Sequence, residues 1–317
     1  MKDLKLSQSF TIISLNGQDS LSMTIGKKAA LRCIAASVIL DYYLDNGFTL
    51  ENTELSLDKS ILNKTTTTLY EETVVKAVLN KNDVLNGNLN FWMKISSNLS
   101  LKYLKELEHT MTDYLKGNYL LEEIPNLLSC DMYYKTAGIS AKEYRGNIDV
   151  YSDIMEELKN SIFATTNISD KTICMLWLLH ESGCLTDIFS KEELEKVAIK
   201  MNELSNSNFL AKNIFEIQIY HGVELAIKEF FNIKKKAIMT PTGTGINFTF
   251  PIIERSQSIF IDTEEYFANS MQRLNEVKIR LEENGHKYTI IKEGTVPIIK
   301  IDNVMYELIP DAVTNKI

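Results

Sequence analysis

The sequence predicts a mainly α-helical protein, built as a multi-helix bundle with a projecting β-hairpin and followed by a small C-terminal α/β domain. Three observations support this fold class. Most of the chain before residue 231 repeats apolar residues at helical spacing. The stretch Tyr119–Ala137 alternates like a pair of strands. Beyond residue 245, short alternating runs surround one amphipathic helix.

The first third of the chain is predicted to be mostly helical. Lys27–Asp45 is apolar nearly all round, which is typical of a helix at the centre of a bundle, and Asn46-Gly47 supplies its stop. Glu54–Leu62 alternates enough to form a strand. Further helices are predicted over Leu69–Leu79, Leu89–Ser96 and Leu101–Lys116.

The middle of the chain contains the predicted hairpin and four more helices. The runs YLLEE (119–123) and DMYYKTA (131–137) are its two strands, flanking the loop IPNLLSC. In one of the later helices, Ser190 and Glu193 form a capping box. The helices are predicted over Tyr151–Ala164, Lys171–Ser182, Lys191–Leu204 and Ala211–Phe231.

A composition change after Phe231 marks a domain boundary. Residues 234–245 are basic and then rich in Gly, Thr and Pro, and they read as a linker between a helical domain, 1–233, and a small α/β domain, 246–317. The last domain is predicted to run β-β-α-β-β-β, with a helix over Glu264–Asn284, Gly285 as its stop and Asp302-Asn303 as a turn. The apolar stripe of that helix, predicted to face the sheet, consists of Met271, Leu274, Val277 and Leu281.

Composition narrows the functional classes. The net charge of -8 disfavours a general nucleic-acid binder, because affinity for phosphate backbones comes from clustered Lys and Arg. Four cysteines lie far apart without a C-x-x-C pair, which argues against a disulfide framework or a zinc site. No run reaches the roughly 18 apolar residues of a membrane span, and no signal peptide is evident. The chain is expected to be cytoplasmic, touching membranes only at their surface, and to need no cofactor.

One stretch raises the question of a metal or catalytic site. His180, Glu181 and Cys184 are spaced H-E-x-x-C at the end of a helix. Zinc binding would need two ligands on one helix face and a third elsewhere, whereas Gly183 interrupts the helix before Cys184. A catalytic Cys-His pair would need a third group to orient the base. We favour a structural interpretation, in which Ser169 caps the helix and His180 shares a face with Ile173, Leu176 and Trp177 and bonds to a carbonyl or carboxylate.

Three blocks of the sequence resemble one family in order and spacing. They are DKTICMLWLLHESGCLTDIFSKEELEKVAIKMNEL (170–204), FWMKISSNLSLKYLKELEHTMTDYLKGNYLLEE (91–123) and, more weakly, SVILDYYLDNG (37–47). Their arrangement is similar to the Golgi phosphoprotein 3 family and its bacterial relatives over about residues 10–231. The resemblance implies a helical body with a projecting hairpin, no catalytic chemistry, and peripheral membrane binding through phosphatidylinositol 4-phosphate.

The chain departs from that family at the lipid pocket. The resemblance implies a pocket formed by one Trp and three Arg residues, which in this sequence fall on Gly26, Ala35, Leu104 and Leu107. These side chains cannot supply bidentate donors to a phosphate. Basic residues nevertheless lie close by in sequence, namely Lys28, Arg32, Lys102 and Lys105. They define a candidate site for anionic phospholipid head groups, and the alternative is that they are solvated surface charges.

The leading hypothesis is therefore a non-enzymatic peripheral membrane or adaptor protein. A first alternative is a protein–protein interaction module, forming a homo-oligomer or binding a partner through the hairpin near Tyr119–Ala137 or through the C-terminal domain. A second alternative is a small-molecule enzyme with a site between the domains, where His221, His286 or carboxylates would act.

Overall fold

The computed structural model describes residues 4–51, 54–57, 67–80, 86–131, 138, 141–164, 168–219, 243–249, 258–262, 267 and 269–313. The described part is mainly α-helical, which confirms the predicted fold class. Its helices are α1 (Leu6–Ser14), α2 (Ile25–Leu44), α3 (Leu69–Leu79), α4 (Leu89–Ser97), α5 (Leu101–Gly117), α6 (Ile148–Phe163), α7 (Asp170–Ser182), α8 (Leu185–Ile188), α9 (Lys191–Ser207), α10 (Phe209–Ile214) and α11 (Ser270–Glu283).

The strands form three antiparallel sheets. A small sheet of order β1-β2-β3 comprises β1 (Phe48–Glu51), β2 (Glu54–Leu57) and β3 (Asn86–Gly87). A two-stranded sheet comprises β4 (Leu121–Pro125) and β5 (Lys142–Gly146). A five-stranded sheet of order β7-β6-β10-β9-β8 comprises β6 (Gly243–Thr249), β7 (Ser258–Asp262), β8 (Tyr288–Lys292), β9 (Ile298–Ile301) and β10 (Val304–Val313).

The helical body is built around α2. This helix packs against α1, α3, α4, α5 and α7, and its apolar residues are buried on most sides, as the sequence predicts for a central helix. Helix α1 is a second buried element, since all nine of its residues are buried. The sequence analysis does not predict α1, because Ser, Gln and Thr interrupt its apolar pattern.

The hairpin exists, but its second strand differs from the prediction. Strand β4 pairs antiparallel with β5, so that Leu121 lies opposite Gly146 and Pro125 opposite Lys142. The predicted second strand was 131–137, but Asp131 lies outside any strand and residues 132–137 lie outside the described residues. A single 3₁₀ turn, Leu127–Cys130, follows β4 directly. Alternation of apolar and polar residues cannot predict which strand pairs with β4, because a period of two does not specify the partner of a strand.

In the described part of the chain, the helix predicted over Ala211–Phe231 ends earlier than predicted. Helix α10 ends at Ile214, and the backbone N–H of its C-cap, Phe215, donates to the carbonyl of Ala211. Residues 220–231 lie outside the described residues. The apolar run FEIQIY that follows α10 misleads a periodicity argument, because short apolar runs fit several structures.

The C-terminal unit has the predicted β-β-α-β-β-β order. Gly285 ends α11 with a φ of +75°, and Asp302-Asn303 form the β9–β10 turn with φ values of +45° and +75°. Helix α11 begins at Ser270 and not at the predicted Glu264. Leu274, Val277 and Leu281 face the sheet as predicted, but Met271 is 56% exposed, so that the stripe begins one turn later.

The 3₁₀ turn ties the two parts of the chain together. Leu127 and Cys130 are buried in the same apolar core as Leu274, Val277 and Ile299 of the C-terminal unit. Strand β6 begins at Gly243, inside the predicted linker 234–245, and residues 234–242 lie outside the described residues. The division into domains at the linker stays a prediction, but the core of the C-terminal unit includes residues that precede the linker by about a hundred positions.

Candidate functional site

The H-E-x-x-C stretch is the end of a buried helix. Ser169 Oγ accepts from the Thr172 backbone N–H at the start of α7, and Gly183 ends the helix with a φ of +77°. The side chain of Glu181 is buried and accepts from the backbone N–H of Ile219 at 2.8 Å. Among the residues that the structure describes, no group of His, Cys, Asp and Glu side chains has an arrangement suited to holding a metal ion.

His180 has the predicted carboxylate partner and is largely exposed. Its Nδ1 lies 3.1 Å from Glu181 Oε1, and this bond raises the pKa of His180. The side chain is 60% exposed, whereas Ile173, Leu176 and Trp177 are buried. His180 is therefore more exposed than the residues whose helical spacing it shares, and at this end of the helix the buried side chain is that of Glu181.

Three of the four positions that would correspond to the lipid pocket of the resembled family lie inside the core. Ala35, Leu104 and Leu107 are fully buried. Gly26 lies at the start of α2. A Cβ atom added to it would be 3.7 Å from the side-chain amide of Gln18. Ala35, Leu104 and Leu107 belong to the apolar core, and none of the four positions offers a charged donor to a ligand.

Two contacts fix how the N-terminal halves of α2 and α5 meet. Lys27 Nζ, on α2, forms a buried ion pair with Glu108 Oε1, on α5, at 2.8 Å. One and a half turns further along α2, Arg32 Nη1 donates to the carbonyl of Ser97 at 2.7 Å, at the C-terminal end of α4. The first half of α2 therefore runs antiparallel to the chain from Ser97 to Glu108, and it lies beside the junction between α4 and α5.

This arrangement gathers positive charge at one corner of the body. Residues 20–40 and 86–105 contain no Asp or Glu, and the Arg32–Ser97 contact brings the two segments together. We call this region the basic corner and define it by the basic side chains on its surface. They are Lys28, Arg32, Lys94, Lys102 and Lys105.

The lysines of the basic corner are open to solvent and to a partner. Lys94, Lys102 and Lys105 are exposed and Lys28 is half-buried. Within the described part of the chain, none of these four ammonium groups lies within ion-pair distance of a carboxylate, in contrast to Lys5, Lys27, Lys76 and Lys116. An anionic surface would therefore meet positive charge that internal partners do not neutralise.

Arg32 and two neighbouring residues modify the basic corner. Arg32 is partly buried and donates to Ser97, so that it holds α2 against α4. Glu106 is exposed next to Lys105 and reduces the local charge by one. Leu101, the first residue of α5, is 47% exposed beside Lys102. The corner is thus a net positive surface that includes one accessible apolar side chain.

Four of the five basic residues were singled out from the sequence, and Lys94 was not. Lys94 lies in the last turn of α4, which the sequence predicts only as a helix over Leu89–Ser96. A scan for segments without carboxylates would have found it, since 86–105 is such a segment.

A second polar cluster lies between β5 and the C-terminal unit. Arg145 forms ion pairs with Asp302 and, at 3.2 Å, with Glu122, and His286 Nδ1 hydrogen-bonds to the other carboxylate oxygen of Asp302. Asn303 donates to the carbonyl of Gly146 at 3.0 Å. The side chains of Arg145, Asp302 and His286 are nearly fully buried.

Electrostatics hold Asp302 and Arg145 of this cluster in their charged forms. Burial acts to raise the pKa of Asp302, but the hydrogen bonds from His286 and Arg145 outweigh it, so that the pKa is lowered. Burial acts to lower the pKa of Arg145, but its bonds to Glu122 and Asp302 leave that pKa raised. The Asp302–His286 pair lies within the C-terminal unit, whereas the Arg145–Asp302 pair holds the β9–β10 turn against β5. His221, the other histidine considered for an interdomain site, lies outside the described residues.

Comparisons with known proteins give no family assignment. A scan against protein families and a search of curated proteins both find no match for this chain. Across the described ranges, no helix is both long enough and apolar enough to cross a bilayer.

Proposed function

We propose that this chain is a non-enzymatic binding module that docks reversibly onto an anionic membrane surface through the basic corner. The observation that supports the proposal is the meeting of two carboxylate-free segments, which places four lysines without ion-pair partners on adjoining helices of a protein whose net charge is -8. The resemblance to the Golgi phosphoprotein 3 family agrees with a docking role and remains part of the proposal.

The expected strength is that of a weak peripheral contact. Each Lys close to an anionic bilayer contributes roughly 1 kcal/mol, so four lysines contribute about 4 kcal/mol, or about a thousandfold in partitioning. Acidic residues elsewhere on the chain repel the membrane, but charges farther than about 10 Å away are largely screened at physiological ionic strength. Local attraction at the basic corner therefore outweighs the unfavourable net charge.

Vesicle sedimentation tests the proposal. Wild-type protein is expected to sediment with phosphatidylcholine vesicles that contain phosphatidylserine, and to remain in solution with phosphatidylcholine alone. Lys102→Glu with Lys105→Glu should abolish sedimentation. A matched control, Lys196→Glu with Lys292→Glu, reverses two exposed lysines outside the corner and should bind as wild type does. Equal losses in the two double variants would contradict docking through the corner.

A protein partner at the hairpin is the second candidate. Tyr119, at the base of β4, is 84% exposed and has a φ of +59°, which is rare for a residue other than glycine. Exposed aromatic residues are enriched in interfaces between proteins. The buried faces of the hairpin contact the rest of the chain, so a partner would use this outer residue. Tyr119→Asn should then weaken self-association or partner binding without lowering stability, and an unchanged oligomeric state in sedimentation velocity would contradict this second candidate.

A further inference from the structure

We infer that the basic corner recognises the charge density of an anionic bilayer and not the stereochemistry of one phosphorylated head group. This inference rests on the proposed membrane docking and specifies its ligand as anionic phospholipid in general. It is supported by where the charged groups lie, by which donors are already engaged and by what fills the space beneath them.

The donors that could be fixed in position are engaged within the protein. Selective binding of a phosphate uses preorganised groups, above all a bidentate guanidinium. The guanidinium of the corner belongs to Arg32, and its Nη1 donates to the Ser97 carbonyl. Lys27, the most rigidly held lysine nearby, is buried and bonded to Glu108 and to the carbonyl of Asp19. Neither group is positioned to enclose a head group.

The remaining donors are mobile and lie on outer helix surfaces. Lys94, Lys102 and Lys105 are exposed, and each ammonium group stands on a stem of four rotatable bonds. Ala35, on α2, and Leu104 and Leu107, on α5, are fully buried in the apolar core. The positions at which a head group would enter are occupied by the core, so the lysines meet phosphates from outside and in variable geometry.

An accessible apolar side chain completes the corner. Leu101 is half-exposed beside Lys102, on the first turn of α5. A leucine next to lysines is suited to the boundary between head groups and acyl chains, where its burial does not depend on the identity of the head group. The combination of mobile charge and one apolar residue predicts affinity that follows surface charge.

The first test compares lipids at equal surface charge. Binding is measured by flotation with phosphatidylcholine vesicles that contain either phosphatidylserine or phosphatidylinositol 4-phosphate, adjusted to the same zeta potential. We expect partition coefficients within about threefold of each other and the same decline with salt. A preference above about tenfold for either lipid at equal charge would overturn the inference while leaving membrane docking intact. No binding to either vesicle would instead refute the proposed function itself.

The second test asks whether the lysines contribute equally. Lys28→Gln, Lys94→Gln, Lys102→Gln and Lys105→Gln each remove one charge, and each should reduce partitioning about fivefold. Lys196→Gln, an exposed lysine outside the corner, serves as the control and should have no effect. A loss above about fiftyfold for one lysine, with no loss for the other three, would indicate a specific pocket and contradict recognition by charge density.

Discussion

Charged side chains inside the helical body occur in partnered groups. Lys27 Nζ is bonded to Glu108 and to the carbonyl of Asp19 at 2.7 Å, and the hydroxyl of Tyr144 donates to the same Glu108 at 3.0 Å. Burying a lone ammonium or carboxylate would cost several kcal/mol, and these bonds offset that cost. Lys27 and Lys28 are neighbours in the sequence, yet Lys27 is buried in an ion pair and Lys28 faces solvent.

Asp41 is the buried carboxylate whose ionisation is least favourable. Its oxygens accept from the backbone N–H of Ser7 at 3.3 and 3.4 Å, so that a side chain of α2 caps α1. Burial raises the pKa of Asp41 to about 6, despite the bonds from Ser7 and the nearby charge of Lys5. The ordinary value in an unfolded chain is about 3.9.

Replacing this carboxylate is expected to stabilise the protein at neutral pH. The folded state binds more protons than the unfolded state between about pH 4 and 6, so the free energy of unfolding falls as pH rises through that window and is constant above it. Asp41→Asn keeps an acceptor for Ser7 and removes the charge, which should add about 1–3 kcal/mol at pH 7 and abolish that slope. Urea unfolding from pH 4 to 7.5 measures both effects, and a less stable variant at pH 7 would contradict the assignment.

At the scale of elements, β5 connects the two parts of the molecule. Successive side chains of a strand point to opposite faces. Tyr144 faces the helical body and bonds to Glu108, while Arg145 faces the C-terminal unit and pairs with Asp302. A two-stranded hairpin is marginally stable alone, so contacts on both faces explain why β4 and β5 form here.

Two glycines at helix ends differ in backbone conformation, and replacing each with alanine tests how that conformation affects stability. Gly183 has a φ of +77°, whereas Gly117, the last residue of α5, has no positive φ and no atom within 4 Å of an added Cβ. Gly183→Ala should destabilise the protein by about 1–2 kcal/mol, because alanine disfavours the left-handed conformation. Gly117→Ala should stabilise it by up to about 0.5 kcal/mol. Thermal unfolding of the pair measures the difference, and equal shifts would contradict the helix-end geometry.

The whole molecule is expected to behave as one cooperative unit. Leu127 and Cys130 complete the core of the C-terminal unit, and the buried Arg145–Asp302 pair joins that unit to β5. Unfolding either part therefore exposes apolar surface and unpaired charge in the other.

Arg145→Ala should uncouple the two parts. Removing the guanidinium leaves Asp302 buried with one fewer cationic partner, which costs about 3–5 kcal/mol. In this variant, amide hydrogen exchange should show that β8–β10 open earlier than α2. In the wild-type protein, the same elements should open together. Lys287→Ala is the matched control, because its 3.9 Å contact with Glu122 is exposed and contributes about 0–1 kcal/mol. Simultaneous opening in Arg145→Ala would contradict the coupling.

Charge is unevenly distributed over the molecule. Asp149, Asp153, Glu156 and Glu157 are exposed on α6, which packs against α1, α7 and β5, whereas the basic corner lies on α2, α4 and α5. Membrane binding should therefore be sensitive to salt. We expect partitioning to fall at least tenfold when the salt concentration rises from about 0.05 to 0.5 M, since surface charges are screened over a shorter length. Salt-independent flotation would assign the binding to apolar contacts such as Leu101.

The sequence by itself determined most helix limits. Helix α3 spans the predicted Leu69–Leu79, and the capping box at Ser190 and Glu193 begins α9 as predicted. Gly183, Gly285 and the Asp302-Asn303 turn also lie where the sequence places them. These features depend on residues a few positions apart, whose backbone preferences and hydrogen bonds are already present in the local chain.

Only the tertiary structure decided which distant segments meet. It selected β5 as the partner of β4, buried the polar helix α1 and turned Glu181 and not His180 inward. It also joined the carboxylate-free segments 20–40 and 86–105 through the Arg32–Ser97 contact. The physical reason is that pairing and burial depend on the combined free energy of contacts between residues far apart in the chain. Local periodicity contains no information about those contacts. The residue types at the corner could be read from the sequence, whereas their common surface is a product of how α2 packs on α4 and α5.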